Sequence, residues 1–182
     1  MFKKKKTDEK VDDKIKIDMP YYERMVNDLI ASHGLDPEKC RHRPKTLWSA
    51  YRGSALIYTE IFPLDDVYYI EISCPVMKIP SKNLLPFYRR LLEINYQLIG
   101  VKFFLKQDIL YLSANRELQG LDAEELKLME DRVSFNADKL DDLLIEEFKK
   151  QAEYKRPGEK PGVFTRSQQL SCKAPHRCDQ RR

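Results

Sequence analysis

The chain has 182 residues, 42% of them apolar and 34% charged, with a net charge of +4. That length suits one domain of ordinary size with tails. No run approaches the ~18 consecutive apolar residues a membrane span requires, and the charged share exceeds the usual ~25%, so part of the chain is expected to stay outside the packed core. The charge is unevenly placed. Residues 1–18 carry seven Lys and five acids, a balance of +2. Residues 149–182 carry ten Lys or Arg and three acids, a balance of +7. Residues 19–148 carry sixteen bases and twenty-one acids, a balance of −5. The folded body is expected to be acidic and the ends basic. Basic ends can hold nucleic acid, anionic lipid or an acidic protein. Neither end interleaves aromatic residues in the manner of a nucleic-acid binder, so solvation of the chain is favoured over a specific ligand.

Residues 1–17 are a lysine-rich leader interleaved with acids and are expected to be disordered. Met1 to Lys6 resembles the basic start of a signal peptide, but Thr7 to Lys16 is charged almost throughout, so a cytoplasmic protein is expected. The first helix starts near Asp18, whose carboxylate can cap it. Met19, Tyr22, Met25, Val26, Leu29 and Ile30 recur at three- and four-residue steps, and His33-Gly34 marks the end. Leu35 to Lys45 reads as a loop with two prolines. Three antiparallel strands follow: Thr46 to Tyr51, Ala55 to Phe62, and Val67 to Val76, the last two joined by a turn at Pro63-Leu64-Asp65-Asp66. In the third strand Tyr68, Ile70, Ile72 and Cys74 form the more apolar side and should face the core, with Val67, Tyr69, Glu71 and Ser73 opposite.

A second helix is predicted from about Lys82 to Leu98, capped by Ser81. Its stripe is Leu84, Phe87, Tyr88, Leu91, Leu92 and Asn95, and Pro86 is tolerable because it lies in the first turn. Val101 to Lys106 and Ile109 to Ala114 form a hairpin closed at Gln107-Asp108. Asp122-Ala123-Glu124-Glu125 reads as a capping box in which each acidic side chain reaches the other's backbone amide. The helix it opens runs to about Gln151, with Leu126, Met129, Val133, Ala137, Leu140, Leu144 and Phe148 on one side. The domain is therefore expected over residues 18–151, and the segment 152–182, basic and rich in linker residues, is expected to be disordered.

The order α-β-β-β-α-β-β-α resembles the YbjN-type family, described as bacterial sensory transduction regulators, whose architecture is that of type III secretion chaperones. The residues that carry the resemblance are spread over about a hundred positions. They are Gly53-Ser54-Ala55, Ser73-Cys74-Pro75-Val76, Leu91-Leu92-Glu93-Ile94-Asn95, Phe103-Phe104-Leu105, Gly120-Leu121-Asp122 and Ala137-Asp138. The resemblance implies an α+β domain with a five-stranded antiparallel sheet, a homodimer, and no known catalysis. By analogy with secretion chaperones it implies binding of extended protein segments. Nothing is carried onto the chain after Gln151, which matches no part of the family pattern.

Chemistry-bearing groups are sparse. Cys172, His176 and Cys178 are soft metal ligands close together, and Cys40 and His42 form a second pair. Neither set has the C-x2-C spacing of a structural zinc site, and no metal or other cofactor is expected. Cys74 reads as a buried core thiol, and the four cysteines lack the spacing of a disulfide framework. Asp65-Asp66, Asp141-Asp142 and Glu146-Glu147 read as a turn and a solvated helix face rather than acid–base pairs. Arg89-Arg90 reads as a solvated edge. No glycine-rich phosphate loop is present. Trp48, Tyr51, Tyr58, Tyr68 and Tyr69 are either core and cross-strand pairs or a partly exposed aromatic face. The expected function is a non-enzymatic protein-binding domain with no catalytic residues. Phe87, Tyr88, Leu91 and Leu92 are the candidate partner or dimer surface. The alternative is a regulator that contacts nucleic acid through its basic ends.

Overall fold

The computed structural model describes residues 17–148. The expectations of a disordered leader and tail, and the Cys172, His176 and Cys178 cluster, lie outside them. The elements in chain order are α1 (Met19–Ser32), α2 (Pro37–Cys40), β1 (Leu47–Arg52), β2 (Ala55–Leu64), β3 (Val67–Lys78), α3 (Leu84–Gln97), β4 (Lys102–Lys106), β5 (Ile109–Glu117) and α4 (Ala123–Phe148).

The strands form one antiparallel sheet in the order β1-β2-β3-β5-β4. β1, β2 and β3 are successive hairpin neighbours. The crossing through α3 delivers β4 to the far edge, and the two-residue turn at Gln107-Asp108 returns β5 to the gap beside β3. Of the three two-residue hairpin turns, the first places Gly53 in the left-handed region at φ 62, and the other two place a non-glycine residue there, Asp65 at φ 50 and Gln107 at φ 53. Asp tolerates that conformation because its short polar side chain bonds locally; Gln107 has no such excuse in its side chain.

The helical period explains α1. Met25, Val26, Leu29 and Ile30 are buried, and the Asp18 carboxylate accepts the Tyr21 amide at 3.2 Å. The loop after it contains one additional turn of helix, α2, because Asp36 accepts the Glu38 amide and Pro37 suits the first helical position. In β3 the alternation holds: Ile70, Ile72 and Cys74 are buried on the core side. The strand continues past Val76 to Lys78, through a register shift between Pro75 and Met77. α3 begins at Leu84 rather than Lys82. Asn83, in a left-handed conformation, holds the capping position in place of Ser81 and makes no side-chain cap bond.

α4 keeps its predicted stripe, with Leu126, Met129, Val133, Ala137, Leu140, Leu144 and Phe148 all buried. Its capping box is half made. Asp122 Oδ1 accepts the Glu125 amide at 2.7 Å, but the Glu125 carboxylate is taken by Arg116 of β5. A cation within reach outcompetes the return bond to a backbone amide.

All the longer helices cover one face of the sheet. Trp48 of β1 donates its indole N–H to Asn27 of α1 at 3.0 Å, Phe87 of α3 meets Phe148 of α4 edge-on at 5.1 Å, and the core joins both pairs to Ile57, Ile70, Ile72 and Leu112. Arg41 lies over the Trp48 ring at 5.0 Å and pairs with Glu23 at 2.9 Å, which seals the α1 side of β1.

The candidate protein-binding surface

α3 is apolar on two sides. Phe87, Leu91 and Ile94 point into the core, at 0%, 7% and 5% exposure. Leu85, Leu92 and Tyr96 point outward, at 80%, 70% and 92%, and Ile99 just beyond the helix is 81% exposed. Tyr88 stands between the two sets, half-buried. The four residues predicted as a partner surface are therefore divided. Phe87 and Leu91 are core residues, and of the four only Tyr88 and Leu92 reach the outside. A period of 3.6 identifies a stripe but not its direction when a second stripe runs along the opposite side.

The outer stripe lines a shallow groove of about 830 Å³ whose described lining comes from α3, with Arg89, Arg90 and Glu93 among the apolar side chains. Arg89 bonds Glu93 one turn on at 3.0 Å, and Arg90 reaches Glu147 of α4 at 3.0 Å. Arg90 is thus a tie between two helices and not merely a solvated edge.

Asn95 occupies the predicted stripe for a reason that lies outside the helix. Its Oδ1 accepts the Phe103 amide at 2.7 Å, and its Nδ2 donates to the Phe103 carbonyl at 3.3 Å. β4 is an edge strand, and Asn95 satisfies an outward-facing amide and carbonyl there as a neighbouring strand would. α3 thereby blunts an edge that otherwise templates pairing with another chain.

A second, smaller groove of about 370 Å³ lies between α1 and the start of α4. Met25 and Leu29 are among its lining, together with Arg24, Asp28 and Lys127.

Two histidine constellations have the look of catalytic parts. His33 Nε2 lies 2.7 Å from Glu130 Oε2, and Arg52 Nη1 lies 2.7 Å from His33 Nδ1. Arg52 also reaches Asp131 at 3.3 Å. A guanidinium only donates, so Nδ1 accepts and Nε2 carries the proton toward Glu130. Both ring nitrogens are committed, and the ring joins α1, β1 and α4 instead of activating a nucleophile. His33 therefore serves by these bonds in addition to its place at the α1 C-terminus. His42 Nε2 lies 2.6 Å from Ser49 Oγ, a nucleophile-and-base pairing that sequence spacing did not reveal. It ties the loop before β1 to the strand, while the His42 amide bonds the Leu47 carbonyl at 2.8 Å. Neither residue lines either groove described above.

The described cysteines are poor nucleophiles. Burial, reinforced by Asp138 and Asp141, pushes the Cys74 thiol up to about 12. Burial and Asp36 raise Cys40. Among the described residues no three His, Cys, Asp or Glu converge as a metal-holding set, and no helix is long and apolar enough to cross a membrane.

The strand aromatics separate by face. Trp48 and Tyr68 belong to the helix-covered side. Tyr51, Tyr58 and Tyr69 belong to the opposite side, by register with Leu56, Ser73 and Phe62.

The fold is that of the type III secretion chaperones. The ExsC–ExsE complex superposes with a TM-score of 0.52 at 12% identity, covering 69% of this chain and 94% of that one. The Yersinia pestis type III secretion chaperone SycH, solved with a fragment of YscM2, gives 0.48 at 12% identity, covering 65% and 98%. YbjN from E. coli gives 0.43 at 14% identity, covering 70% and 90%. The chain belongs to the YbjN family, whose model matches residues 23–146 under the description "Putative bacterial sensory transduction regulator". No curated protein matches the chain in sequence.

Proposed function

We propose that the chain is a non-enzymatic protein-binding domain of chaperone-like type, and that it works as a homodimer joined through the outer stripe of α3. The observation that carries this reading is the pair of opposed apolar stripes on one helix. An exposed row of Leu85, Leu92, Tyr96 and Ile99 is an interaction surface by composition, since monomeric proteins rarely leave such a row uncovered. The occupant is a second copy because the row complements itself. Arg89 and Glu93 flank Leu92, so an antiparallel second α3 sets each copy's Arg89 beside the other's Glu93, with leucine against leucine at the centre.

Binding of a further protein is supported by the shared fold, because the ExsC–ExsE structure is a complex of two proteins. The commitment of His33 and His42 to bonds within the fold favours binding over catalysis. The test is the solution mass. The intact chain is expected at twice 21.6 kDa, and Leu92→Asp with Tyr96→Asp is expected to bring it to one copy without loss of helical signal. Leu91→Asp is unsuitable, because it would bury an unpaired charge. An unchanged mass in the double variant, or a monomeric parent, refutes the assignment. Recovery of nucleic acid in place of protein from the native cell, by binding that weakens steeply with salt, would favour the alternative regulator.

A further inference from the structure

The groove between α1 and the start of α4 is apolar at its floor and charged at its rim. Met25 and Leu29 form the floor. Ala123 faces them from α4, and its side chain is too short to close the gap of about 370 Å³ between the two helices. Arg24 and Asp28 of α1 and Lys127 of α4 stand exposed at the rim. Among the described residues none of these three side chains has a hydrogen-bond or ion-pair partner. The chain enters α1 through a γ-turn: the Met19 amide bonds the Ile17 carbonyl at 3.1 Å, with Asp18 at φ −81 and ψ 82. Asp18 also caps Tyr21, the first residue of the groove, so this bend sits at the groove's mouth.

We propose that residues 10–15, which precede α1, fold back antiparallel to it and occupy this groove intramolecularly. The order of charges selects them. Along α1 the groove runs Tyr21, Arg24, Met25, Asp28, Leu29. Read back from α1, the segment runs Ile15, then Asp13 and Asp12, then Val11, then Lys10. An antiparallel alignment sets Ile15 at Tyr21, the two aspartates at Arg24 and Lys127, Val11 over Met25 and Leu29, and Lys10 toward Asp28. Exposed ion pairs contribute little, so charge sets the register and the two apolar side chains supply the hold. Attachment to α1 makes the contact intramolecular and removes the cost of bringing two molecules together. Length agrees. From Tyr21 to Ser32 the groove is ~16 Å long at ~1.5 Å per residue of helix, and Val11 to Ile15, extended, span ~16 Å at ~3.3 Å per residue. Residues 149–182 are the poorer occupant. They carry +7 toward a rim of two cations and one acid, and they leave α4 at Phe148, ~38 Å along the helix from Ala123.

The test uses the full chain in two arms. A zero-length carbodiimide is applied to a mixture of isotopically light and heavy protein, and linked peptides are sorted by mass. Lys127 is expected to join Asp12 or Asp13 of the same copy. Links between light and heavy chains would give the groove to a second copy, and links from Lys127 to neither aspartate would leave it to a separate partner; both overturn the proposal. In the second arm, trypsin cleavage after Lys14 is timed in the parent and in Arg24→Glu with Lys127→Glu, exposed changes that reverse the rim and leave the scissile sequence intact. Cleavage after Lys155, beyond α4, is the internal reference. Cleavage after Lys14 about tenfold faster in the variant is expected, since the protease reads the released population. Equal rates overturn the proposal. Cross-linking of the parent decides the matter even if the double variant folds poorly. The groove is separate from α3, so the result does not depend on the dimer surface.

Discussion

Replacing Asn95 isolates the device that closes the β4 edge. The side chain makes two bonds to one residue, accepting from the Phe103 amide at 2.7 Å and donating to its carbonyl at 3.3 Å, beside a Phe103 that is 6% exposed. A net hydrogen bond contributes about 0.5–1.5 kcal/mol, and a buried group left without one costs about 1–3 kcal/mol. Asn95 is itself only half-buried, so alanine leaves room for water to satisfy both orphaned groups in part. Asn95→Ala is therefore expected to cost about 2 kcal/mol. Asn95→Leu fills the space without bonding and excludes the water, so its cost should approach about 4 kcal/mol. The assay is urea denaturation, read as a lower midpoint at unchanged slope, with hydrogen exchange at the Phe103 amide as the local readout. A loss under about 0.5 kcal/mol for alanine, or leucine no worse than alanine, refutes the account. Freeing the edge should also bring concentration-dependent association of the variants.

The Cys74 thiol, at about 12 against an ordinary 9.0, should react with a disulfide reagent at pH 8 about a thousandfold more slowly in the native protein than unfolded, in proportion to the thiolate present. Its folded-state value is raised, so the stability linked to the neutral thiol is intact below about pH 9 and is lost as pH climbs from there toward 12. Cys74→Ala should flatten the stability curve in that window, and native-state labelling at the unfolded rate would disprove the burial argument. Glu130, 3% exposed by side chain and bonded to His33, should cost about 3–5 kcal/mol as alanine, because His33 loses its acceptor and Arg52, 3.6 Å away, loses an ion-pair partner. Glu130→Gln keeps an acceptor and should cost less than half as much in thermal denaturation, and equal losses for the two would show that packing alone is at stake.

The expectations that held rest on signals between residues near in sequence. Met25, Val26, Leu29 and Ile30 are buried because their spacing matches one turn of helix. The Asp18 cap needs only the first turn of α1. Ile70, Ile72 and Cys74 alternate because a strand does. Phe87 and Leu92 show the limit of such signals. Both belong to a credible stripe, and only the position of the sheet and α4 decides that Phe87 meets Phe148 while Leu92 faces out. Asn95 is a polar member of that stripe, and only Phe103 beside it gives the amide its task. Glu125 looked like half of a reciprocal cap until Arg116 came within reach.

The amino-acid order alone determined which of the longer segments become helix or strand, the antiparallel hairpins and the family, because periodicity, capping and turn chemistry act over a few residues. The tertiary structure decided the rest: which stripe of α3 is left outside, that His33 pairs with Glu130 across ninety-seven positions, and that Asn95 meets the Phe103 backbone at the β4 edge. Those facts depend on contacts between elements distant in sequence, where each side chain's environment is set by partners that no local pattern names.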